Sequence, residues 1–143
     1  MDEIDLKLLR LLQKNSRTPV KALAGAVNLS SPAVSARIDR LEKQGVIRGY
    51  TLDVDPLQLG HHILAYIHLD MQPVQKEEFY PFIAACPNVL ECSCVTGQYS
   101  MLIKVIYPST QELDTFIGGL QHFGKTETQI VFSTPVPPRP VQI

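Results

Sequence analysis

Hydrophobic side chains recur at helical spacing in three short stretches of the amino-terminal third of the chain. This periodicity predicts helices over about 3–14, 20–27 and 31–44. Short helices joined by so tight a turn, the last of them rich in outward-facing donors, form the helix-turn-helix layout. Side-chain N-caps and a left-handed glycine stop are expected at Asp2, Ser30 or Ser31, and Gly45.

The third predicted helix has one apolar stripe and one face rich in hydrogen-bond donors. Val34, Ile38 and Leu41 fall at i, i+4 and i+7, so they face a core. The opposite face can reach phosphates and base edges from a major groove, although a solvated surface helix would look similar. Residues 46–55 are β-prone and predict a small ribbon, or wing, beside this helix. The predicted DNA contacts are Ser30, Ser31, Ser35, Arg37, Arg40, Lys43, Gln44 and Arg48.

The pattern changes to alternation in the second half of the chain, which predicts strands. Strand, helix, strand, strand, helix and strand follow in that order, the second helix starting at a capping box from Ser109 to Glu112. This order is the split βαβ pattern, an antiparallel sheet with both helices on one face. The predicted strands cover 63–71, 89–95, 101–107 and 126–133, and the predicted helices cover about 74–85 and 110–120.

The fold class is therefore α+β, with a winged helix-turn-helix followed by a βαββαβ, ferredoxin-like domain. The predicted boundaries give a DNA-binding domain over 1–55, a linker over 56–62, a second domain over 63–134 and a proline-rich tail over 135–143. The sheet face away from the helices is so apolar that a second subunit is expected to cover it. That face would carry Leu64, Tyr66, Leu90, Leu102 and Ile106, among polar residues such as His68 and Lys104.

Composition and charge narrow the class of partner. The 143 residues are 45% hydrophobic, enough to bury a core, and no apolar run approaches the ~20 residues of a membrane span. We therefore expect a cytoplasmic protein. The net charge of −1 hides an asymmetry, because residues 1–48 carry +4 and the remainder carries −5. Only the amino-terminal part is expected to meet a polyanion such as double-stranded DNA.

Two segments carry a resemblance to a known family. The first is Ser-x6-Arg-x3-Leu-Glu-x2-Gly-x-Ile-x-Gly-Tyr from Ser30, and the second is Val95-Thr96-Gly97-Gln98-Tyr99 before a strand. Together they resemble the leucine-responsive/asparagine-regulator (Lrp/AsnC) family over essentially the whole chain. The resemblance implies a homodimer that often assembles to a homo-octamer. It also implies an amino acid or related effector bound between subunits near the Gly97 turn.

The turn itself suits such a ligand. Gly97 lacks a Cβ, so the chain can turn there at positive φ and a ligand can approach the backbone. The N–H groups of the turn can receive a carboxylate, which every free amino acid has. Many members of the family have Asp after the aromatic residue, whereas this chain has Ser100, so no carboxylate of the turn would pair with an ammonium group. The predicted effector contacts are Thr96, Gly97, Gln98, Tyr99 and Ser100.

Other candidate chemistry is weaker. Three cysteines are an odd number and argue against a disulfide framework, and inert thiols are favoured over a metal site at Cys86, Cys92 and Cys94. His61 and His62 are expected to form a solvated hinge pair. No catalytic residue, metal or cofactor is predicted. The alternatives are an enzyme resembling sirohaem decarboxylases, with a tetrapyrrole at His61, His62 and His122, or an architectural DNA-binding protein without an effector.

Overall fold

The computed structural model describes residues 1–143, which form two compact units. Unit 1 contains Met1–Asp53 together with Pro137–Ile143, and unit 2 contains Val54–Val136. None of the helices is both long and apolar enough to span a bilayer.

Unit 1 contains the three predicted helices, α1 (Glu3–Lys14), α2 (Val20–Val27) and α3 (Ser31–Lys43). Asp2 caps α1 through a reciprocal pair of 2.9 Å hydrogen bonds with Asp5. Ser30 caps α3, and its Oγ accepts a hydrogen bond from the backbone N–H of Ala33. Gly45 follows α3 at φ +71°, so the predicted glycine stop is confirmed. The core of this unit is formed by Leu8, Leu12, Leu23, Ala24, Val27 and Val34.

The predicted wing ribbon does not form. Residues 46–55 contain no strand, and Leu52 is 84% exposed. An isolated ribbon of two strands is marginally stable in water, and all four strands of the chain belong to the sheet of unit 2. The segment is held near α3 instead by the Tyr50 hydroxyl, which donates a 2.8 Å hydrogen bond to Oε1 of Glu42.

Unit 2 has the predicted order of strands and helices. A four-stranded antiparallel sheet has the order β2-β3-β1-β4, and α4 and α5 pack on one of its faces. Phe79 of α4 and Leu120 of α5 are fully buried against Ile67 and Ile103 of the sheet. The elements are β1 (Ile63–Met71), α4 (Lys76–Ala84), β2 (Val89–Cys94), β3 (Met101–Tyr107), α5 (Thr110–Leu120) and β4 (Gly124–Ile130).

The last strand lies earlier than the predicted 126–133. Its pairing with β1 begins at Gly124, opposite Met71, and the strand ends at Ile130, opposite Ala65. Beyond this point only Val131 still bonds to β1, through the carbonyl oxygen of Leu64. Phe132 is fully exposed, so its hydrophobic character extended the sequence prediction past the true end of the strand.

The sheet face opposite the helices is less apolar than the sequence pattern predicted. A β-bulge between Val89 and Glu91 displaces Leu90, which is 53% exposed. The bulge also places Glu91 beside Lys104. Charged residues of β4, Lys125 and Glu127, alternate along the same face. The face is thus a mixture of half-buried apolar side chains and charges.

The proline-rich tail has no regular secondary structure but belongs to unit 1. The carbonyl oxygen of Ile143 accepts a 2.8 Å hydrogen bond from Nε of Arg10, and that of Val141 accepts a 2.9 Å bond from Nε2 of Gln13. The linker contains a 3-10 turn over Pro56–Leu59, ended by Gly60 at φ +80°.

Candidate DNA-binding and effector sites

The predicted DNA-binding residues fall into two groups on and beside α3. The first group leaves its side-chain donors free within the chain: Lys43, Gln44 and Arg48 are exposed, and Ser31 and Ser35 are half-buried. Ser30 is different because its hydroxyl is used as the cap of α3. The free donors run along one helix and into the segment that follows it, which is the arrangement that a groove-binding helix requires.

Arg37 and Arg40 form the second group, because their guanidinium groups are already paired with carboxylates of the same chain. Both bind Asp5 of α1, which is completely buried. Nη1 of Arg37 lies 2.8 Å from Oδ1 of Asp5 and 2.7 Å from Oδ2 of Asp2. Nη2 of Arg40 lies 2.7 Å from Oδ2 of Asp5. The sequence prediction missed this pairing, although Asp5 precedes Leu8, Leu9 and Leu12 at the spacing that places all four on the buried face of α1.

The ion pairs change the acidity of these groups. The hydrogen bond from the backbone N–H of Asp5, followed by that from Arg37, lowers the pKa of Asp2 to about 2. Burial alone would raise the pKa of Asp5, but the hydrogen bonds from the Asp2 backbone and from Arg37 outweigh it and lower that pKa. The cluster therefore stays ionised at neutral pH.

The predicted effector turn connects β2 to β3 and is closed by a 2.9 Å hydrogen bond from the N–H of Val95 to the carbonyl oxygen of Ser100. Gly97 has φ +113°, and nothing lies within 4 Å of the position that a Cβ would occupy. Thr96, Gly97 and Gln98 are exposed. The backbone at the tip of the turn is thus open to a ligand.

Ser100 does not offer the free polar arm that the sequence suggested. Its Oγ accepts a 3.1 Å hydrogen bond from the N–H of Met71 and lies 3.2 Å from the carbonyl oxygen of Leu69. Its own backbone N–H donates to the same Leu69 oxygen. Ser100 therefore anchors the turn to β1, and its hydroxyl is occupied.

Tyr99 extends from the turn over the sheet face opposite the helices. Its hydroxyl donates a 2.8 Å hydrogen bond to Oε2 of Glu127, and its ring centroid lies 5.3 Å from that of His68. His68 and Glu127 are direct partners across β1 and β4. The hydrogen bond to Glu127 raises the pKa of Tyr99. The carboxylate of Glu127 thus lies beside the turn. It belongs to β4, which is distant in sequence, so only the pairing register of the strands shows that it is close.

The remaining candidate residues form no assembled site. Cys86, Cys92 and Cys94 are free, burial raises the pKa of the first two thiols, and Cys94 is exposed rather than buried. No group of three or more His, Cys, Asp or Glu side chains is arranged to hold a metal ion.

The three histidines of the enzyme alternative are divided between the two ends of β1. His61 and His62 precede its first residue, and His61 is half-buried with Nδ1 unbonded. His122 lies close to Gly124, which pairs with the last residue of β1, and it contacts Glu78 at 3.3 Å. A nine-residue strand is about 30 Å long, so the three side chains of one copy of the chain do not lie around a common tetrapyrrole site.

Comparison with known proteins assigns both units. A winged helix-turn-helix DNA-binding family model matches residues 1–48, and an Lrp/AsnC ligand binding domain model matches residues 64–141. The Bacillus subtilis transcriptional regulator YezC is 36% identical, covering 94% of this chain and 95% of its own length.

Solved structures agree with this assignment. Bacillus subtilis LrpC has a TM-score of 0.87 at 30% identity, with 94% of this chain and 96% of that chain covered. The Neisseria meningitidis regulator NMB0573, solved in complex with L-Met, has the same fold, with a TM-score of 0.88 at 24% identity and 96% and 93% of the two chains covered.

Proposed function

Because the chain belongs to the Lrp/AsnC family of transcriptional regulators, we propose that it controls transcription by binding DNA through α3 in response to an amino acid held by unit 2. The helix-turn-helix and the ligand-binding domain are the two working parts of such a regulator. The observation that supports the DNA-binding role most directly is the line of free donors from Ser31 to Arg48.

The proposed DNA contacts of unit 1 include Ser31, Ser35, Lys43, Gln44 and Arg48. Serine and glutamine can donate to phosphates or bases, and the two cations are suited to phosphates. Fluorescence anisotropy against a duplex from upstream of the chain's own gene, and against a random duplex, tests this proposal.

Lys43→Ala is expected to weaken binding to both duplexes and to reduce the salt slope by about 1. Lys76→Ala removes the same charge from α4 of unit 2 and serves as the matched control. If Lys43→Ala and Lys76→Ala bind equally well, the face of α3 is assigned wrongly.

The effector is proposed to bind at the turn of Thr96, Gly97 and Gln98, with Tyr99 as an apolar wall. Backbone N–H groups of the turn would receive its carboxylate, and Oε2 of Glu127, 2.8 Å from the Tyr99 hydroxyl, would receive its ammonium group. Ser100 anchors the turn to β1 through its hydrogen bond with Met71 and is not proposed as a ligand contact.

Thermal-shift measurements with the proteinogenic amino acids, L-methionine among them, test this site. Gly97→Asp places a carboxylate where the ligand carboxylate would lie, so it should abolish stabilisation by the ligand while DNA binding persists. Glu127→Gln should weaken the response to the amino acid but not to its 2-hydroxy analogue, which lacks the ammonium group. A full response from Gly97→Asp would place the pocket elsewhere. The absence of any stabilising amino acid would favour the effector-independent alternative.

A homodimer is proposed as the working unit, since two copies of α3 would contact one duplex. The operator should then be roughly palindromic, with half-sites separated by whole helical turns. Light scattering at micromolar concentration distinguishes a dimer or octamer from a monomer, and a monomer would contradict the proposal. We propose a cytoplasmic location, where DNA and free amino acids meet, and no catalytic activity. The relatives are transcriptional regulators, and none of them supports a decarboxylase.

A further inference from the structure

Asp5 is the only charged residue of the chain that is completely buried, and two of the three groups that donate to its carboxylate are arginines of α3. Its Oδ2 accepts hydrogen bonds from the backbone N–H of Asp2 at 2.9 Å and from Nη2 of Arg40 at 2.7 Å. Its Oδ1 accepts from Nη1 of Arg37 at 2.8 Å. A buried carboxylate with three donors is fully compensated, and the geometry of those donors is fixed by it.

The two arginines are held to different degrees. Nη1 of Arg37 is shared between Asp2 and Asp5, and the side chain is only 24% exposed. Arg40 touches Asp5 through Nη2 alone and remains 48% exposed. A guanidinium has five N–H donors in one plane. The Nη2 group of Arg40 is held by Asp5, and its Nη1 and Nε groups remain free to donate.

On the basis of the DNA-binding function proposed above, we propose that Asp5 is a positioning residue: it orients the Arg40 guanidinium so that the free donors of that group bind the phosphate backbone beside α3. Arg37 has a different task in this arrangement, since it fastens the middle of α3 to the start of α1. An oriented guanidinium loses less side-chain freedom when it binds a phosphate than a free one does. Asp5 thus favours DNA binding although its negative charge repels the phosphates of the DNA.

Removing the charge of Asp5 tests this proposal. An effect of Asp5 through its charge and an effect through the position of Arg40 predict changes of opposite sign in the affinity for DNA. If Asp5 acted on DNA only through its charge, Asp5→Asn would remove a negative charge from the DNA-binding unit and tighten binding, as repulsion of phosphates falls. The positioning role predicts that Asp5→Asn weakens binding, by about tenfold, because a neutral amide holds Arg40 less firmly.

Glu3→Gln is the matched control. Glu3 lies on the same helix, is exposed and has no partner within the chain, so this variant makes the same change of charge without disturbing Arg40. Anisotropy titrations use the full chain with a random duplex of about three helical turns, at several salt concentrations. Glu3→Gln should bind as the unmodified chain does, or slightly more tightly, whereas Asp5→Asn should bind more weakly.

Two further variants separate positioning from a general loss of structure. Arg40→Ala should reduce the salt slope by about 1, and adding Asp5→Asn to it should cost no further affinity, because the group that Asp5 positions is gone. Arg40→Lys retains the charge but not the fork, leaves Asp5 in place, and should also bind more weakly. Tighter binding by Asp5→Asn, additive losses in the double variant, or unchanged binding by Arg40→Lys would each overturn the proposal.

Discussion

Replacing Gly124 by alanine is expected to destabilise the sheet of unit 2, because a Cβ at this position would lie 1.8 Å from the carbonyl oxygen of Asp70. Its distance to the carbonyl carbon of the same residue would be 2.9 Å. Both atoms are backbone atoms of β1, so no side-chain rotation can relieve the contact. Gly124 pairs with Met71 at the end of the β1–β4 ladder, and the two strands must separate there to admit a methyl group.

The loss in the free energy of unfolding can be worked out from the effects of separating the two strands. A backbone group left without its partner in a buried setting costs about 1–3 kcal/mol. Distortion of the flanking backbone adds about 1–3 kcal/mol. The reduced freedom of alanine in the unfolded chain returns only about 0.4–1 kcal/mol. We therefore expect the free energy of unfolding to fall by about 2–4 kcal/mol.

Urea denaturation followed by far-UV circular dichroism, at one fixed protein concentration, measures this change. Gly118→Ala is the control: it makes the same substitution in α5, where nothing lies within 4 Å of the new Cβ. There the gain in helix propensity should raise the free energy of unfolding by up to about 1 kcal/mol. If Gly124→Ala unfolds at the same urea concentration as the unmodified chain, β4 does not pair with β1 in this register.

Three other variants or conditions test the structure of the two units. Phe79→Ala empties the centre of the unit 2 core and should lower the free energy of unfolding by about 3–5 kcal/mol in the same urea assay. Ser100→Ala leaves the N–H of Met71 without its acceptor and should cost about 1–3 kcal/mol, which a thermal melt would detect. Asp2 and Asp5 have lowered pKa values when folded, so the stability they contribute is present above about pH 4 and lost as the pH falls towards 2. A melting temperature that does not fall over this range, or falls equally in Asp2→Asn, would contradict the ion-pair network.

The order of elements could be predicted because each one carries its own local signal. Asp2, Ser30 and Gly45 act on the backbone within a few residues, and the helices of unit 1 begin or end beside them. Alternation likewise identified β1 and β3. The buried residues of β1 all face one side, and those of β3 do so except for Ile106. The last strand was misplaced because Phe132 has strand character but no partner beyond Ile130, and pairing depends on another part of the chain.

The sites could be located by sequence only in part, for the same reason. The turn around Gly97 and the donors of α3 are local features, so the pattern and the resemblance indicated both. The contacts that define their chemistry are long-range: Asp5 meets Arg37 and Arg40 more than thirty positions away, and Tyr99 meets Glu127 at a separation of 28. Periodicity can place Asp5 on the buried side of α1, but it cannot show which distant residues pair with it.

The ion-pair cluster also changes how the charge of unit 1 should be understood. Residues 1–48 carry a surplus of four positive charges, but Asp2, Asp5, Arg37 and Arg40 together are neutral. The whole surplus therefore belongs to the remaining side chains. Among the cations of α3 and the segment after it, Lys43 and Arg48 are exposed and have no partner within the chain. Long-range attraction to DNA is therefore expected from the side chains outside the cluster, whereas the cluster is proposed to contribute a fixed geometry through Arg40.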